Sequence, residues 1–328
     1  MIREEKSCMR RIGVLTSGGD APGMNAAIRA VVRGGIHYGM EVIGIHKGYN
    51  GLINGDYEIM SARSVSDILH RGGTILQTAR CLEFKEQPGI LKAVRMAKDI
   101  KLEGLVVIGG DGSFKGARDL SAAGLPTVGI PGTIDNDIAC TDYTIGFDTA
   151  LNTARDAIDK IRDTAHSHER CSVVEVMGRD AGYIAAYVAM ACGAEAAIVP
   201  EENFDFERDI LMPIREGKMR GKKQNLIIVA EGVGGSVEMA KNIQKETGIE
   251  TRATILGHIQ RGGSPTVTDR IVASQMGIHA VELLANGIGN RIVAKQKDKI
   301  VDYDIMEGLN MEKKMGNEIL NLSKILSM

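Results

Sequence analysis

The chain has 328 residues, of which 44% are hydrophobic and 25% are charged, and its formal net charge is −2. This composition is typical of a globular protein long enough for two domains, and it excludes fibrous and intrinsically disordered proteins. A net charge so close to zero gives no whole-molecule attraction to nucleic acid or to an acidic membrane surface, so we expect neither as a partner.

The cysteines and the amino terminus indicate a cytoplasmic protein. The five cysteines are Cys8, Cys81, Cys140, Cys171 and Cys192. They are widely spaced and form no CxxC pair, which predicts neither a disulfide framework nor a zinc site. The leading sequence MIREEKSCMRR is densely charged and lacks the apolar core of a secretory signal.

Short apolar runs rich in β-branched residues alternate with amphipathic segments along nearly the whole chain. This order predicts an α/β fold of two doubly wound, Rossmann-like domains, each with a parallel sheet that helices cover on both faces. The predicted strands are residues 12–16, 42–45, 105–108, 127–130, 172–176, 197–199, 226–230 and 254–256.

No linker rich in proline, serine or glycine divides the chain, so we expect it to cross between the two domains more than once. The predicted crossings lie just after Asp137 and near His258. The larger domain is predicted to contain residues 1–137 and 259–304, and the smaller one residues 138–258 and 305–328.

The first predicted strand ends in a glycine-rich turn, TSGGDAPG at residues 16–23, which leads into a helix. We expect Asp20 to cap this helix and Pro22 to lie in its first turn. Exposed N–H groups at a helix start bind phosphate. The turn matches neither GxxxxGK[ST] nor GxGxxG, so a tight turn without a ligand stays open as an alternative.

Two further strands end in acidic turns. Asp111 stands in IGGDGS at residues 108–113, where it is placed either to ligate a magnesium ion that bridges phosphates or to cap the next helix. In PGTIDND at residues 131–137, Thr133, Asp135 and Asp137 share one side if the segment is extended. One such carboxylate can take a proton from an attacking hydroxyl while another supports a metal, as phosphoryl transfer requires.

Phosphoryl transfer also requires positive charge, and several arginines lie beside glycines or strand ends where they can bind oxyanions. These arginines are Arg80, Arg162, Arg170, Arg179, Arg252 and Arg261. Glu231 follows a strand and can accept hydrogen bonds from sugar hydroxyls, and His258 is the one histidine in such a turn. Taken alone, Arg29 and Arg33 indicate a solvated helix face.

Five motifs in order closely resemble those of bacterial ATP-dependent 6-phosphofructokinases. They are TSGGDAPGMNAAIR (16–29), IGGDGS (108–113), PGTIDND (131–137), EVMGR (175–179) and GHIQRGGSP (257–265). The likeness runs from about Arg11 to about Asp304. It implies a magnesium-dependent glycolytic kinase that transfers the γ-phosphoryl group of ATP to the 1-hydroxyl of fructose 6-phosphate. The larger domain would then bind nucleotide and the smaller one the sugar phosphate.

The resemblance also implies roles for individual residues. Asp135 would be the base and Asp111 the magnesium ligand, while Thr133, Arg179 and Arg80 would act on the transferred phosphoryl group. The nucleotide site would comprise Gly19, Arg80, Cys81, Gly110, Asp111, Gly112 and Ser113. The sugar-phosphate site would comprise Thr133, Asp135, Met177, Gly178, Arg179, Glu231, His258 and Arg261, with Arg170 and Arg252 from a neighbouring subunit.

Arginines supplied by a neighbour imply an oligomer, and the resemblance indicates a homotetramer. It further implies an effector site for ADP or phosphoenolpyruvate between subunits, which makes a merely solvated face at Arg29 and Arg33 the weaker interpretation. The implied effector residues are Arg29, Arg33, Arg162, Gly193, Glu195, Arg220 and Lys222. Two departures are Cys81, where some members have Phe, and Arg63, which is displaced by one position from the expected effector residue.

Gly112 and Gly132 indicate ATP rather than pyrophosphate as the donor. Pyrophosphate-using relatives tend to carry Asp at position 112 and Lys at 132, and a carboxylate at 112 would repel the α-phosphate of ATP. A catalytically silent nucleotide sensor on the same fold is the alternative. The joint presence of Asp111, Thr133, Asp135 and Arg179 disfavours it, because a sensor needs no base. The first loop also lacks the spacing of a dinucleotide-dependent oxidoreductase.

Overall fold

The computed structural model describes residues 9–327, so Cys8 and the other residues before Met9, together with Met328, lie outside the described residues. The described chain forms two compact units. Unit 1 contains residues 9–134, Ile138–Asp148 and Arg261–Lys313. Unit 2 contains Asp135–Asp137, Thr149–Gln260 and residues 314–327. The predicted α/β fold class is confirmed.

Unit 1 is built on a seven-stranded sheet with the order β11-β10-β5-β4-β1-β2-β3. Its strands are β1 (Arg11–Ser17), β2 (Glu41–Ile45), β3 (Tyr57–Met60), β4 (Gly104–Gly109), β5 (Thr127–Pro131), β10 (Arg291–Gln296) and β11 (Lys299–Asp304). The five inner strands pair in parallel, whereas the edge strands β3 and β11 are antiparallel to their neighbours. The sheet is therefore mixed rather than fully parallel, because β11 returns directly from β10 through a tight two-residue turn.

Apolar strands explain why helices cover this sheet. The residues of β4 are all buried, as a strand packed on both faces requires. The unit 1 helices are α1 (Met24–His37), α2 (Tyr49–Asn54), α3 (Gln87–Asp99), α4 (Asp111–Ala122), α9 (Val267–Ala285) and α10 (Ile305–Asn310). Close contact between α1 and α9 depends on small residues, since a Cβ added at Gly277 would lie 2.6 Å from the Cβ of Ala30.

Unit 2 has a four-stranded, fully parallel sheet with the order β7-β8-β6-β9. The strands are β6 (Cys171–Val176), β7 (Ala196–Ile198), β8 (Asn225–Ala230) and β9 (Thr251–Ile255). The helices are α6 (Tyr183–Cys192), α7 (Met212–Met219), α8 (Ser236–Thr247) and α11 (Asn317–Leu326), while α5 (Phe147–His168) runs into this unit from unit 1. Val173, Ile227 and Val229 join Ile214 and Ile243 in its core.

The division into units differs from the predicted domain bounds. Residues 138–148 and 305–313 pack in unit 1, and residues 135–137 and 259–260 in unit 2. Specific contacts explain the first difference, because the Tyr143 hydroxyl donates to Asp269 Oδ1 at 2.7 Å and Lys313 Nζ donates to the Thr141 carbonyl at 2.9 Å. Ile305 is buried in the core of unit 1. The main crossing therefore lies within α5 rather than just after Asp137.

Within the part of the chain that the structure describes, no helix has both the length and the apolar character needed to cross a membrane.

Candidate active site

Backbone pairing brings three loops of unit 1 to one edge of its sheet. Ser17 at the end of β1 lies opposite Gly109 of β4, and Gly109 lies opposite Pro131 of β5. Because these strands are parallel, the loops that follow them emerge side by side. In the sheet, β1 lies between β2, to which the chain continues, and β4, which comes later in the sequence. Ligands bind at such a switch in strand order.

The loop after β1 does not start its helix as predicted. Helix α1 begins at Met24, and its N-cap is Gly23 with φ +103, so Asp20 is not the cap and Pro22 precedes the first turn. This prediction was wrong because the left-handed conformation at Gly23 interrupts helical geometry before Met24. The Asp20 carbonyl instead accepts a hydrogen bond from Arg261 Nη1 at 3.3 Å.

Two residues that the resemblance assigns to different ligands come together at this loop. The guanidinium of Arg261 lies so close to Gly19 that a Cβ at Gly19 would collide with Nη1. Glycine at this position therefore admits the guanidinium beside the backbone of the loop. The arrangement places a positive charge next to the first loop, as the binding of an oxyanion requires.

The loop after β4 presents Asp111 as the first residue of α4. The N-cap is Gly110, and no side chain caps this helix, so the capping interpretation of Asp111 is excluded. The carboxylate lies in the first turn, where the helix dipole stabilises negative charge, and it pairs with Lys115 Nζ at 2.7 Å. Ser113 Oγ donates to the Ser17 carbonyl at 3.0 Å and ties this loop to β1.

Thr133, in the loop after β5, lies beside the loop after β4. A Cβ added at Gly110 would be 4.0 Å from the Cβ of Thr133. The Thr144 hydroxyl donates to the Thr133 carbonyl at 2.6 Å and helps to fix this segment. The structure thus brings together the predicted residues Gly110, Asp111, Ser113 and Thr133 at one edge of unit 1.

The donor set around Asp111 fits a magnesium ion that arrives with phosphates. Magnesium is commonly held by one or two carboxylates together with substrate phosphates and water. The Asp111 side chain is 46% exposed, which leaves its carboxylate accessible. Within residues 9–327 no group of three or more His, Cys, Asp or Glu side chains is arranged to hold a metal. The described residues therefore form no cage of three or more such ligands at Asp111.

Gly112 and Gly132 differ in their surroundings. A Cβ at Gly112 would meet no atom within 4 Å, whereas one at Gly132 would lie 3.1 Å from Ile108 Cγ2 and 3.2 Å from Met24 Cε. Position 112 therefore faces open space. A side chain at position 132 would require Ile108 and Met24 to move.

Two aromatic residues that support the loop after β4 lie outside the sequence motifs and were not predicted. The Tyr49 hydroxyl donates to the Ser113 carbonyl at 2.5 Å, and its ring stacks on Phe84 with the centroids 4.0 Å apart. Phe84 follows closely after the predicted nucleotide residues Arg80, which is exposed, and Cys81, which is partly buried. Nothing in the local sequence distinguishes Tyr49 or Phe84 from ordinary core aromatics.

Asn25 ties the start of α1 to the segment that precedes Arg80. Its side-chain amide donates to the carbonyls of Arg71 and Gly72 at 3.1 and 3.2 Å, and its Oδ1 accepts from the N–H of Ile75 at 2.8 Å. The signal available in the sequence was a polar residue within the apolar start of α1. Because Asn25 is only 1% exposed, these bonds satisfy an amide that burial would otherwise destabilise.

In unit 2, the loop after β6 adopts an unusual backbone. Gly178 has φ +147 and Arg179 has φ +55, a left-handed conformation that costs a non-glycine residue about 1–2 kcal/mol. Glu231, which follows β8, holds this loop because its Oε1 accepts from the N–H groups of Gly178 at 3.0 Å and Arg179 at 2.5 Å. Met177 is buried, while His258 is exposed in the turn after β9.

Arg170 and Arg252 lie at the opposite end of this sheet. Arg170 precedes β6, and Arg252 is the pairing partner of Ser172 near the start of β6. Both arginines pair with Glu250, at 2.9 and 2.7 Å, and their hydrogen bonds lower the pKa of that carboxyl. A strand of six residues is about 20 Å long at about 3.3 Å per residue. Within one unit, these arginines therefore do not join the loop that contains Met177.

Most of the predicted effector residues lie in unit 2, in two adjoining groups. The Arg162 guanidinium lies beside Gly193, 3.9 Å from where a Cβ would be, and Glu195 Oε1 pairs with Lys222 Nζ at 2.6 Å. Glu195, Lys222 and Arg220 also line a cavity of about 420 Å³. The remaining predicted effector residues, on α1 of unit 1, are Arg29 and Arg33.

The catalytic residues that the resemblance implies are divided between the units. Asp111 and Thr133 belong to unit 1, whereas Asp135 and Arg179 belong to unit 2. Asp135 is 4% exposed, while Arg179 is exposed. The short motif PGTIDND therefore contributes to both units.

Comparison with known proteins identifies the family to which these loops belong. The phosphofructokinase family model matches residues 11–284. The chain belongs to the phosphofructokinase family. The resemblance inferred from the five motifs is thereby confirmed.

Relatives of similar length extend this phosphofructokinase likeness over nearly the whole chain. The ATP-dependent 6-phosphofructokinase of Clostridium botulinum strain Hall is 59% identical over 319 residues, which cover 97% of this chain and 100% of the relative. The protein of the same description from Alkaliphilus metalliredigens is 58% identical over the same shares.

Solved phosphofructokinases have the same fold. The Saccharomyces cerevisiae structure matches with a TM-score of 0.87 at 34% identity, covering 97% of this chain and 48% of the yeast chain. The present chain thus spans about half the length of the yeast protein. A pyrophosphate-dependent phosphofructokinase from Marinobacter aquaeolei matches with a TM-score of 0.83 at 21% identity, and this similarity shows the fold alone.

We predict that Cys81 is the first of the described thiols to react with iodoacetamide. Burial raises the pKa of Cys171 to about 12 and those of Cys140 and Cys192 to about 11, which suppresses the thiolate needed for alkylation. Cys81 is only partly buried. In a Cys8→Ser variant, mass spectrometry of native protein should find Cys81 alkylated first.

The same experiment tests the nucleotide site. MgATP should slow the alkylation of Cys81 by at least roughly tenfold if the nucleotide covers this position. As a control, the denatured protein should react at all its thiols. Early labelling of Cys140, Cys171 or Cys192 would contradict the burial described. Labelling of Cys81 that MgATP leaves unchanged would remove Cys81 from the nucleotide site.

Proposed function

We propose that the chain is an ATP-dependent 6-phosphofructokinase. It transfers the γ-phosphoryl group of MgATP to the 1-hydroxyl of fructose 6-phosphate and yields fructose 1,6-bisphosphate and ADP, a step of glycolysis in the cytoplasm. The observation that carries this proposal is the 58–59% identity to ATP-dependent relatives over their full length. The open space at Gly112 supports a nucleotide donor, since it leaves room for an α-phosphate.

The carboxyl edge of the unit 1 sheet is proposed to bind the nucleotide. The site is proposed to contain Gly19 and residues 110–113. Backbone N–H groups at Gly19 and at residues 110–112, where α4 starts, are suited to phosphate oxygens. Asp111 is the proposed magnesium ligand. A magnesium ion held there would offset the negative charge of the donor's phosphates. Arg80 and Cys81 are proposed to complete this site, with the exposed guanidinium directed to phosphate.

Three groups are proposed to act on the transferred phosphoryl. Asp135 takes the proton of the sugar 1-hydroxyl as this oxygen attacks phosphorus. The Thr133 hydroxyl holds the phosphoryl oxygens, and the Arg179 guanidinium stabilises the negative charge of the transition state. The constrained backbone at Arg179 supports this role, because the backbone that carries the side chain is already fixed and only the side chain has to be ordered.

The sugar phosphate is proposed to bind to unit 2 and to Arg261 of unit 1. Glu231 orients the loop of residues 177–179 by accepting hydrogen bonds from the N–H groups of Gly178 and Arg179. It is also proposed to accept hydrogen bonds from sugar hydroxyls. Met177 and Gly178 supply the wall of the site, while His258 and Arg261 bind the phosphate.

The position of Arg170 and Arg252 supports a role in a neighbouring subunit. They lie at the amino end of the unit 2 sheet, whereas Met177 and Glu231 follow the carboxyl ends of its strands. We infer a homotetramer in which these arginines reach a neighbour's sugar-phosphate site. ADP and phosphoenolpyruvate are the proposed effectors. Their proposed site contains Arg29, Arg33, Arg162, Gly193, Glu195, Arg220 and Lys222.

We predict that the purified protein phosphorylates fructose 6-phosphate with MgATP and not with pyrophosphate. A coupled assay that offers each donor separately measures this directly. Gly112→Asp serves as the matched variant, since its carboxylate would occupy the open space and raise the KM for MgATP by about tenfold or more. Activity with pyrophosphate alone would contradict the donor assignment. Activity with neither donor would favour a silent nucleotide sensor.

We predict that Asp135→Asn lowers kcat by roughly 10²–10⁴-fold, because the amide cannot accept the proton of the attacking hydroxyl. The KM for fructose 6-phosphate should stay within a few-fold, since the amide has the shape of the carboxylate. Asp298→Asn, at the exposed turn between β10 and β11, is the control and should retain full turnover. Turnover of Asp135→Asn within tenfold of wild type would eliminate Asp135 as the base.

A further inference from the structure

Three successive N–H groups of the loop after β6 donate hydrogen bonds to two side chains. These side chains belong to residues that follow the two neighbouring strands. In the sheet order β7-β8-β6-β9, strand β6 lies between β8 and β9. Glu231, after β8, accepts from Gly178 and Arg179 at 3.0 and 2.5 Å. Gln260, after β9, accepts from the N–H of Met177 through Oε1 at 2.8 Å. The loop is thus held from two sides.

The backbone of this loop needs such support. The ladder of β6 ends where the Leu256 N–H donates to the Glu175 carbonyl at 3.0 Å and the Glu231 N–H donates to the Val176 carbonyl at 2.9 Å. Beyond this point the chain turns into positive φ at Gly178 and Arg179. A left-handed arginine is unfavourable unless its surroundings hold it, so side-chain oxygens replace the missing strand as acceptors.

Gln260 is suited to this task and not to direct contact with a ligand. It lies in the short helical turn Gly257–Arg261 and is 0% exposed, whereas His258 in the same turn is exposed. Its Nε2 has no hydrogen-bond partner among residues 9–327. The bond from Met177 is therefore the interaction that fixes the amide. A buried amide is held in place by the hydrogen bonds that it makes, and for the Gln260 side chain this is the bond from the Met177 N–H.

We propose that Gln260 is a positioning residue for the sugar-phosphate site. It fixes the N–H of Met177 and thereby the orientation of Gly178 and Arg179, which the proposed function assigns to fructose 6-phosphate and to the transition state. The inference rests on that proposed function. Since the Met177 loop belongs to unit 2 and the nucleotide loops to unit 1, loss of the bond changes the KM for the sugar phosphate and leaves that for MgATP unchanged.

The variants separate the acceptor from the volume of the side chain. Gln260→Met keeps the length of the side chain and removes the acceptor oxygen. Gln260→Glu keeps an acceptor oxygen and replaces only Nε2, which makes no hydrogen bond with the described residues. Thr247→Val is the matched control. It removes a side-chain acceptor for the N–H of Ile249, at 3.2 Å, on the amino side of β9.

We expect Gln260→Met to raise the KM for fructose 6-phosphate about tenfold, which is about 1.4 kcal/mol, and to lower kcat. The KM for MgATP should stay within twofold of wild type. Gln260→Glu should restore most of the sugar-phosphate affinity, and Thr247→Val should match wild type in both constants. Hydrogen exchange should show faster exchange of the Met177 amide in Gln260→Met alone.

An unchanged KM for fructose 6-phosphate in folded Gln260→Met would overturn the positioning role, even with faster exchange at Met177. Equal rises in both KM values would do the same, because they would indicate a general structural defect. If Gln260→Met does not fold, Gln260→Asn, which withdraws the acceptor by one methylene, is held to the same outcomes. Wild-type activity is measured first, so an inactive wild type would contradict the proposed function and not the hydrogen bond at Met177.

Discussion

The parallel register of β1, β4 and β5 is the constraint on which the proposed nucleotide site depends. It places Ser17, Gly109 and Pro131 in one row, so the loops that follow share an edge of the sheet. A shift of one residue in this register would turn the side chains of a strand to the other face and displace the loop after it. The strands are buried on both faces, so close packing of their side chains, rather than an alternation of apolar and polar residues, opposes such a shift.

Once the strands are in place, side chains fix the loops. Beyond the end of a ladder the backbone has lost its regular partners, and buried N–H and C=O groups still require hydrogen bonds. Ser113 donates to the Ser17 carbonyl and Tyr49 donates to the Ser113 carbonyl in unit 1. Glu231 and Gln260 perform the equivalent task for three N–H groups in unit 2. Both units thus use the same solution to hold glycine-rich loops.

The inner strands could be predicted from the sequence because they are continuous apolar runs. The edge strands β3 and β11 and the inner strand β10 were missed. Polar residues interrupt the largely exposed or half-exposed edge strands, and β10 has only three buried apolar residues, 292–294, between polar ends. The start of α1 was also misplaced, because Asp20 and Pro22 are good residues for a helix start and only Gly23 has the conformation that ends the loop. Residues 138–148 were assigned to the wrong side of the crossing because their ties to Asp269 are long-range.

Motif residues were identifiable because their spacing resembles a known family, whereas the residues that hold them were not. Tyr49, Phe84 and Gln260 act through single bonds or ring contacts with partners distant in sequence. Gln260 lies within a recognised motif, yet the sequence does not show that it faces inward while His258 faces out. Burial and hydrogen-bond geometry supply that distinction, and only the folded chain contains them.

The loops after β1 and β4 are proposed to bind the phosphates of the donor through Asp111 and a metal ion. Crystals grown with Mn²⁺ and a non-hydrolysable ATP analogue test this directly, because the anomalous signal locates the metal. We expect a manganese peak that contacts both the Asp111 carboxylate and the phosphate chain, with the phosphates at the loops that contain Gly19 and Gly110. A metal bound to the analogue at any place away from Asp111 would show that Asp111 is not the metal ligand.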